Sequence, residues 1–247
     1  MNLTQALKEF PPGVIHNPSL KMTLPAHGLE ELRVKAYRLG TLLVCFDAID
    51  EAYIIAAGEP HLLPQRIERV GDVLMMESQT PLSDSLHGQN QKILIEVHVP
   101  TSTRLNVEMF AGVVMLRGGT GDVTVSGKAG EITGVTFAAQ VDVHLHAGDV
   151  SFNDLLGKAN IRVSTGAVTL GWERLSGKEQ IEVSCGVGSI DLQLPAGAAD
   201  KRDFSGLRID KTLRLPGGTH IRGQVNLGSM DIRHWLHKRG YRASVLI

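Results

Sequence analysis

From Leu105 onward, apolar residues recur at a strict interval of nine: Leu105, Val114, Val123, Ile132, Val141, Val150, Ala159 and Val168. Two positions after each comes a second series, Val107, Leu116, Val125, Gly134, Val143, Phe152, Ile161 and Leu170. A glycine stands two positions before most of the first series, at Gly112, Gly121, Gly130, Gly148, Gly157 and Gly166, with Thr103 and Ala139 as the exceptions. After Leu170 the phase slips by four residues and resumes at Ile181/Val183 and Ile190/Leu192, the latter pair led by Gly188. It returns around Ile221 and again at Met230/Ile232, led by Gly228.

Alternation over a few residues places every second side chain on one face of a strand. A helix cannot satisfy a strict period of nine built from i, i+2 apolar pairs. Glycine before each strand permits a tight turn or a close backbone approach. The pattern therefore predicts an all-β chain, a parallel β-solenoid of nine-residue half-coils with about 18 residues per coil. Two such half-coils stack into two sheets. One carries Leu105, Val123, Val141, Ala159 and Ile181 inward, with a second column of Val107, Val125, Val143, Ile161 and Val183. The other carries Val114, Ile132, Val150, Val168 and Ile190. Four inward side chains per coil supply roughly 6–12 kcal/mol, while ordering 18 residues costs roughly 1–2 kcal/mol each in backbone entropy. A coil must therefore stack on its neighbours, and the ends of the stack must be covered.

The remaining segments supply the covers. Residues 1–28 hold Pro11, Pro12, Pro18 and Pro25 and form an N-terminal arm. Residues 29–100 read as an antiparallel or mixed β region continuous with the solenoid. Its strands are Leu32–Tyr37, Thr41–Phe46, Tyr53–Ala57, Ile67–Met76 and Ile93–Val99, with a hairpin turn at Val70-Gly71-Asp72-Val73. The solenoid occupies 101–235, interrupted by a long loop at 195–220 with a short strand of its own. Residues 236–247 form a C-terminal tail, and a short helix is expected from His234 onward.

Composition narrows the function. A formal net charge of -1 gives no electrostatic case for nucleic acid. The basic cluster Arg233, His234, His237, Lys238, Arg239 and Arg242 reads as a solvated tail. The two cysteines, Cys45 and Cys185, make neither a disulfide framework nor a metal pattern and read as small buried hydrophobes. No apolar run reaches the length of a signal core or a transmembrane segment, so a cytoplasmic location is the default.

Few residues carry candidate chemistry. His144 and His146, spaced i, i+2, project from one strand face and are weak candidates for a metal. Their expected outward neighbours, Ser126, Lys128, Arg162 and Ser164, complete no ligand set, so an exposed metal-free pair is expected. Gly118-Gly119-Thr120-Gly121-Asp122 departs from a calcium-binding repeat by one position, and Val113, Glu131, Lys158, Ala167 and Ser189 stand at the position of Asp122 in other units. The hydroxyl column Thr133, Ser151 and Thr169 reads as ordinary solvent-facing strand positions. Asp142 and Glu182 fall two coils apart with Asn160 between them, which completes no acid/base pair for glycoside chemistry. Asp154 falls in an inward phase and reads as a turn residue after its strand has ended. No catalytic residue and no cofactor is expected. The glycines Gly112, Gly121, Gly130, Gly148, Gly157, Gly166, Gly188 and Gly228 are expected to shape turns.

The runs Gly121-Asp122-Val123-Thr124-Val125, Gly148-Asp149-Val150-Ser151-Phe152 and Gly188-Ser189-Ile190-Asp191-Leu192 resemble the bacterial putative-adhesin family, a domain of unknown function with repeating G-[DS]-[VI]-x-[VL] strands. The approach Ile95-Glu96-Val97-His98-Val99-Pro100, followed by Leu105-Asn106-Val107, is similar to that family's entry into its repeats. The resemblance covers roughly residues 30–235 and implies a β-solenoid fold with no agreed catalytic residues. The expected function is a non-catalytic scaffold that self-associates or binds another protein. The alternatives are an exported cell-surface module of adhesin type and a solenoid enzyme acting on polysaccharide.

Overall fold

A computed structural model describes residues 15, 18–78, 93–137, 140–198, 202–215 and 218–234. Within them lie β1 (Leu20–Pro25), β2 (Glu31–Asp47), β3 (Glu51–Ala57), β4 (Arg66–Val70), β5 (Val73–Ser78), β6 (Leu94–Pro100) and β7 (Arg104–Arg117). There follow β8 (Val123–Phe137), β9 (Val141–Leu155), β10 (Lys158–Gly171), β11 (Gln180–Leu194), β12 (Arg202–Arg214) and β13 (His220–His234). One three-residue 3-10 turn, Pro60–Leu62, separates β3 from β4. No helix among the described residues is long and apolar enough to cross a membrane.

The strands join one continuous ladder in which β2, β7, β8, β9, β10, β11 and β13 are parallel neighbours. Leu105 pairs with Val123, Val123 with Val141, Val141 with Ala159 and Ala159 with Ile181. Val114, Ile132, Val150, Val168 and Ile190 form a second line of partners, and all ten side chains are buried. β-branched residues fill these columns because a pleated, half-buried surface suits them. The arrangement is solenoid-like, with each strand adding one layer to a shared core.

Two features differ from the expected two-strand coil. Each of β7 to β11 runs unbroken through its middle glycine, so one strand of 14 or 15 residues serves both faces. From β7 to β13 the ladder passes over one position per strand, two residues before that glycine, at Phe110, Lys128, His146, Ser164, Gly186 and Asn226. Between β2 and β7 it passes over Tyr37 opposite Phe110 and then shifts register between Arg38 and Thr41. The chain turns its corner there while keeping its hydrogen bonds on both sides. Asp154 corrects a second expectation. It lies within β9 at φ 55, and its Oδ1 accepts a hydrogen bond from Glu173 N at 3.0 Å, while Leu155 beyond it is buried.

The N-terminal region is mixed. β5 and β6 lie parallel to the two halves of β2 and together stand in for one long strand. Around them β3 runs antiparallel to β6, β1 to β3, and β4 to β5. The β4–β5 hairpin turns at Gly71, φ 63, with Val70 paired to Val73. Part of the expected N-terminal arm is thus strand β1.

At the other end, the segment expected as a long loop with a short strand instead holds β12, thirteen residues antiparallel to β13. Its inward positions Phe204, Ile209 and Leu213 pack on the end of the core, which is the physical reason the segment is ordered as strand. His234, where the expected helix was to begin, is instead the last residue of β13, and the rest of that helix and the tail 236–247 lie outside the described residues.

The four-residue slip after Leu170 corresponds to a link that carries Trp172, fully buried, whose Nε1 donates to Leu155 O at 2.8 Å. Glu179 anchors this link. It is buried and accepts hydrogen bonds from Ser176 N (2.5 Å), Gly177 N (2.9 Å) and Thr219 Oγ1 (2.5 Å). Burial alone would raise its carboxyl pKa, but the bonds from Thr219 and Ser176 outweigh burial and hold it below the usual carboxylate value. A depressed folded-state pKa gives stability that is present above the unfolded value and lost as pH falls through the folded one. Glu179→Gln is therefore expected to lower stability by about 1–3 kcal/mol at pH 7. The difference from the parent should shrink as pH falls below about 4.3. Urea unfolding at pH 7 and below pH 4 measures both.

Candidate functional site

Two of the places that gather polar side chains among the described residues bear on function. The first is an open groove of about 1470 Å³ along the corner line, lined from β2 across to β13. At one end Tyr37 and Phe110 stack with ring centroids 4.7 Å apart. In the middle stand Lys128, His144, His146 and Arg162, and at the far end Ser184, Gln224 and Asn226. The two carboxylates among the described lining residues, Glu77 and Glu108, sit at the aromatic end. Corner residues bring their side chains into line because parallel pairing stacks like position on like. Seven strands at about 4.8 Å make a track roughly 29 Å long.

The histidines singled out from the sequence both line this groove, and Ser126 and Arg162 flank His144 by register as expected. His146 Nε2 faces Lys128 Nζ at 3.1 Å, so an ammonium sits where a metal would need the ring lone pair. The predicted glycines divide into two groups. Gly112, Gly130, Gly148, Gly166, Gly188 and Gly228 stack in one register column beside the groove. Gly121 and Gly157 lie in the links between strands. A Cβ at Gly121 would meet Thr103 O at 2.3 Å, and Gly157 O accepts from Gln180 N at 3.2 Å. Cys185 is buried beside Val163, as its phase implied, and its Sγ contacts Gly166 O at 3.4 Å.

The second place escaped the sequence reading. Register aligns Tyr53, His98, Cys45 and Arg117 as one row across β3, β6, β2 and β7. Glu96 and Asp47 flank the row on the same outer face, each two residues from a member of it. Cys45, Glu96 and His98 are buried although the core lies on the opposite face of these strands. His98 Nδ1 lies 2.7 Å from Asp47 Oδ2, and Nε2 lies 2.8 Å from Glu96 Oε1. The Tyr53 ring stacks on the imidazole at 4.0 Å, and Arg117 reaches Asp47 at 3.8 Å. One ligand atom each from Cys45, Glu96 and His98 lies within 4.8 Å of the others. Burial pushes the Cys45 thiol up to about 12, with Arg117 opposing and Asp47 and Glu96 adding to it. A thiol so protonated is no nucleophile at neutral pH. The signal was present as two i, i+2 polar pairs, Cys45/Asp47 and Glu96/His98, inside otherwise apolar strands. What the sequence withheld was the pairing of those two strands.

No family model matches the chain, and no curated protein matches it. A solved structure of a putative cell adhesion protein from Clostridium sporogenes ATCC 15579 is similar over 88% of this chain and 100% of its own, with a TM-score of 0.44 and 11% identity. A likeness that distant assigns neither family nor function.

Proposed function

We propose that the chain is a non-catalytic interaction protein: a β-solenoid of 18-residue coils, each of two nine-residue halves, that holds an elongated acidic segment of a protein partner in its lateral groove. The observation that carries this reading is the middle of the groove. There Lys128, His144, His146 and Arg162 stand on three adjacent strands with no carboxylate among the described lining residues beside them. A chain near neutrality overall that sets the Lys128 and Arg162 cations along one track, with the two imidazoles between them, favours an anionic ligand laid along that track. The protonated Cys45 thiol supports a non-catalytic reading.

A fluorescent ten-residue oligoglutamate, about 33 Å when extended, tests the groove by anisotropy. Saturable binding that weakens with salt is expected. Lys128→Ala/Arg162→Ala should lose at least tenfold in affinity, about 1.4 kcal/mol, with an unchanged melting temperature. Equal affinity in the double variant would sink the assignment, and tighter binding of an acidic oligosaccharide would move it to glycans.

Self-association is the second reading. Val187, Leu227 and Leu207 are register neighbours on β11, β13 and β12 and are exposed at 48%, 49% and 77%. They form an apolar ridge that reaches the terminal strand. Against it, β12 carries Arg202, Asp203, Arg208, Asp210, Lys211 and Arg214, charges of the kind that blunt a sheet edge. Light scattering across a concentration series is expected to give a constant monomer mass. A mass that grows with concentration and is restored to monomer by Leu207→Lys would favour assembly instead.

A further inference from the structure

We propose that Cys45, Glu96 and His98 form a binding site for a divalent cation of the zinc class, clamping β2 to β6 where the repeats meet the N-terminal region. The donor set selects the ion. A thiolate, an imidazole and a carboxylate suit zinc, whereas magnesium and calcium take oxygen ligands.

The geometry is close to what such an ion needs. Bonds of roughly 2.0–2.3 Å in a tetrahedron separate ligand atoms by roughly 3.5 Å, and the three candidate atoms already lie within 4.8 Å of one another. The donors sit on paired strands: Cys45 is the register partner of His98, and Glu96 is two residues along the same face. Asp47 Oδ2 at 2.7 Å from His98 Nδ1 fixes the ring so that Nε2 points toward Glu96. A carboxylate on the far nitrogen is the usual partner of a metal-bound histidine. Tyr53, stacked on the imidazole, prevents the ring from turning away. Three protein donors leave the fourth position to water.

The proton balance follows from the same contacts. On binding, the cation takes Nε2 and a Glu96 oxygen, so the proton shared across their 2.8 Å contact leaves to solvent, the Cys45 thiol gives up its proton as well, and Nδ1 keeps its proton toward Asp47. The neutral thiol of the free protein becomes a thiolate because the ion's charge replaces the proton's. Affinity should therefore rise with pH across the neutral range. Nothing in this site depends on the groove, so its failure and the groove's are separately visible.

The test uses the full chain, stripped with chelator and titrated with cobalt(II) under ultraviolet and visible light. Expected are a saturable thiolate-to-cobalt charge-transfer band and the visible bands of four-coordinate cobalt, both erased by one equivalent of zinc. Cys45→Ser should abolish the charge-transfer band, His98→Gln should weaken binding at least tenfold, and His144→Gln/His146→Gln should change nothing. Asp47→Asn should lower affinity about 10- to 100-fold with the band in place. Should Cys45→Ser fail to fold, Cys185→Ser leaves Cys45 as the remaining cysteine of the chain's two. Retention of the band then supports the site, and its loss overturns it. Folded parent protein that gives no thiolate band, or a band that survives in Cys45→Ser, also overturns the proposal.

Discussion

Gly166→Ala should cost the protein about 3–5 kcal/mol, combining backbone strain and overpacking. Gly166 sits at φ 145 in the corner of β10, and a Cβ built on it would lie 1.8 Å from Gly148 O on the neighbouring strand. The same collision recurs along the column, at 1.8 Å for Gly148 on Gly130 O and 1.7 Å for Gly188 on Gly166 O. Each corner carbonyl thus occupies the space a side chain would take on the next strand. A methyl group there cannot be relieved by a rotamer change, because the atom it meets is backbone. The ladder must open at that point, and the loss passes to both neighbours because every layer rests on the last. Gly71→Ala is the control. Gly71 also has positive φ, 63, but nothing lies within 4 Å of its Cβ position. It should pay the left-handed backbone term alone, about 1–2 kcal/mol. For a chain of this size each kcal/mol is worth roughly 2–4 °C. Thermal melts should therefore separate the two variants clearly, and equal shifts would mean that close approach at the corner contributes nothing.

That column also shows how far the sequence could be read. The interval of nine placed Gly112, Gly130, Gly148 and Gly166 in phase with the apolar series, and those positions stack as neighbours in the ladder. Periodicity carried the registers of β7 to β11 because every layer repeats one geometric problem, and repetition leaves a mark in one sequence. β12 was misread for the opposite reason. Its burial is one-sided, it lies antiparallel to β13, and its charged residues mask the phase set by Phe204, Ile209 and Leu213. His144 and His146 were legible as an outward pair, but the groove they line depends on Tyr37, Phe110 and Asn226, which no local pattern joins to them. The Cys45–His98 row was hidden for a similar reason. Two strands 53 residues apart are brought together by the N-terminal strand order, which does not repeat.

Val143→Asp should be the most damaging substitution in the stack, costing about 4 kcal/mol or more at pH 7. Val143 has no exposed surface and lies between Val125 and Ile161 in one inward column. The substitution removes a buried apolar side chain, worth about 1.5–3 kcal/mol, and places a carboxylate where no donor or cation faces it. A carboxylate so buried keeps its proton to higher pH in the folded state than in the unfolded one. The folded state then binds more protons, so stability falls as pH rises from the unfolded pKa to the folded one. The deficit should be largest at neutral pH and partly relieved near pH 4; the Glu179→Gln deficit also shrinks in acid, but there because the parent loses its advantage, whereas here the variant regains stability. Asn160→Asp supplies the comparison one strand on. Asn160 is half-buried on the outer face between Asp142 and Glu182, so the new charge meets two like charges across the ladder. Such cross-strand repulsion is worth about 0.2–1 kcal/mol, and Arg162, whose Nε already donates to Asn160 Oδ1 at 3.2 Å, offsets part of it. Denaturant melts of the two variants at pH 7 and pH 4 decide between inward and outward. If Val143→Asp were no worse than Asn160→Asp at neutral pH, the inward face of β9 would be assigned to the wrong residues, and with it the columns on which the whole stack rests.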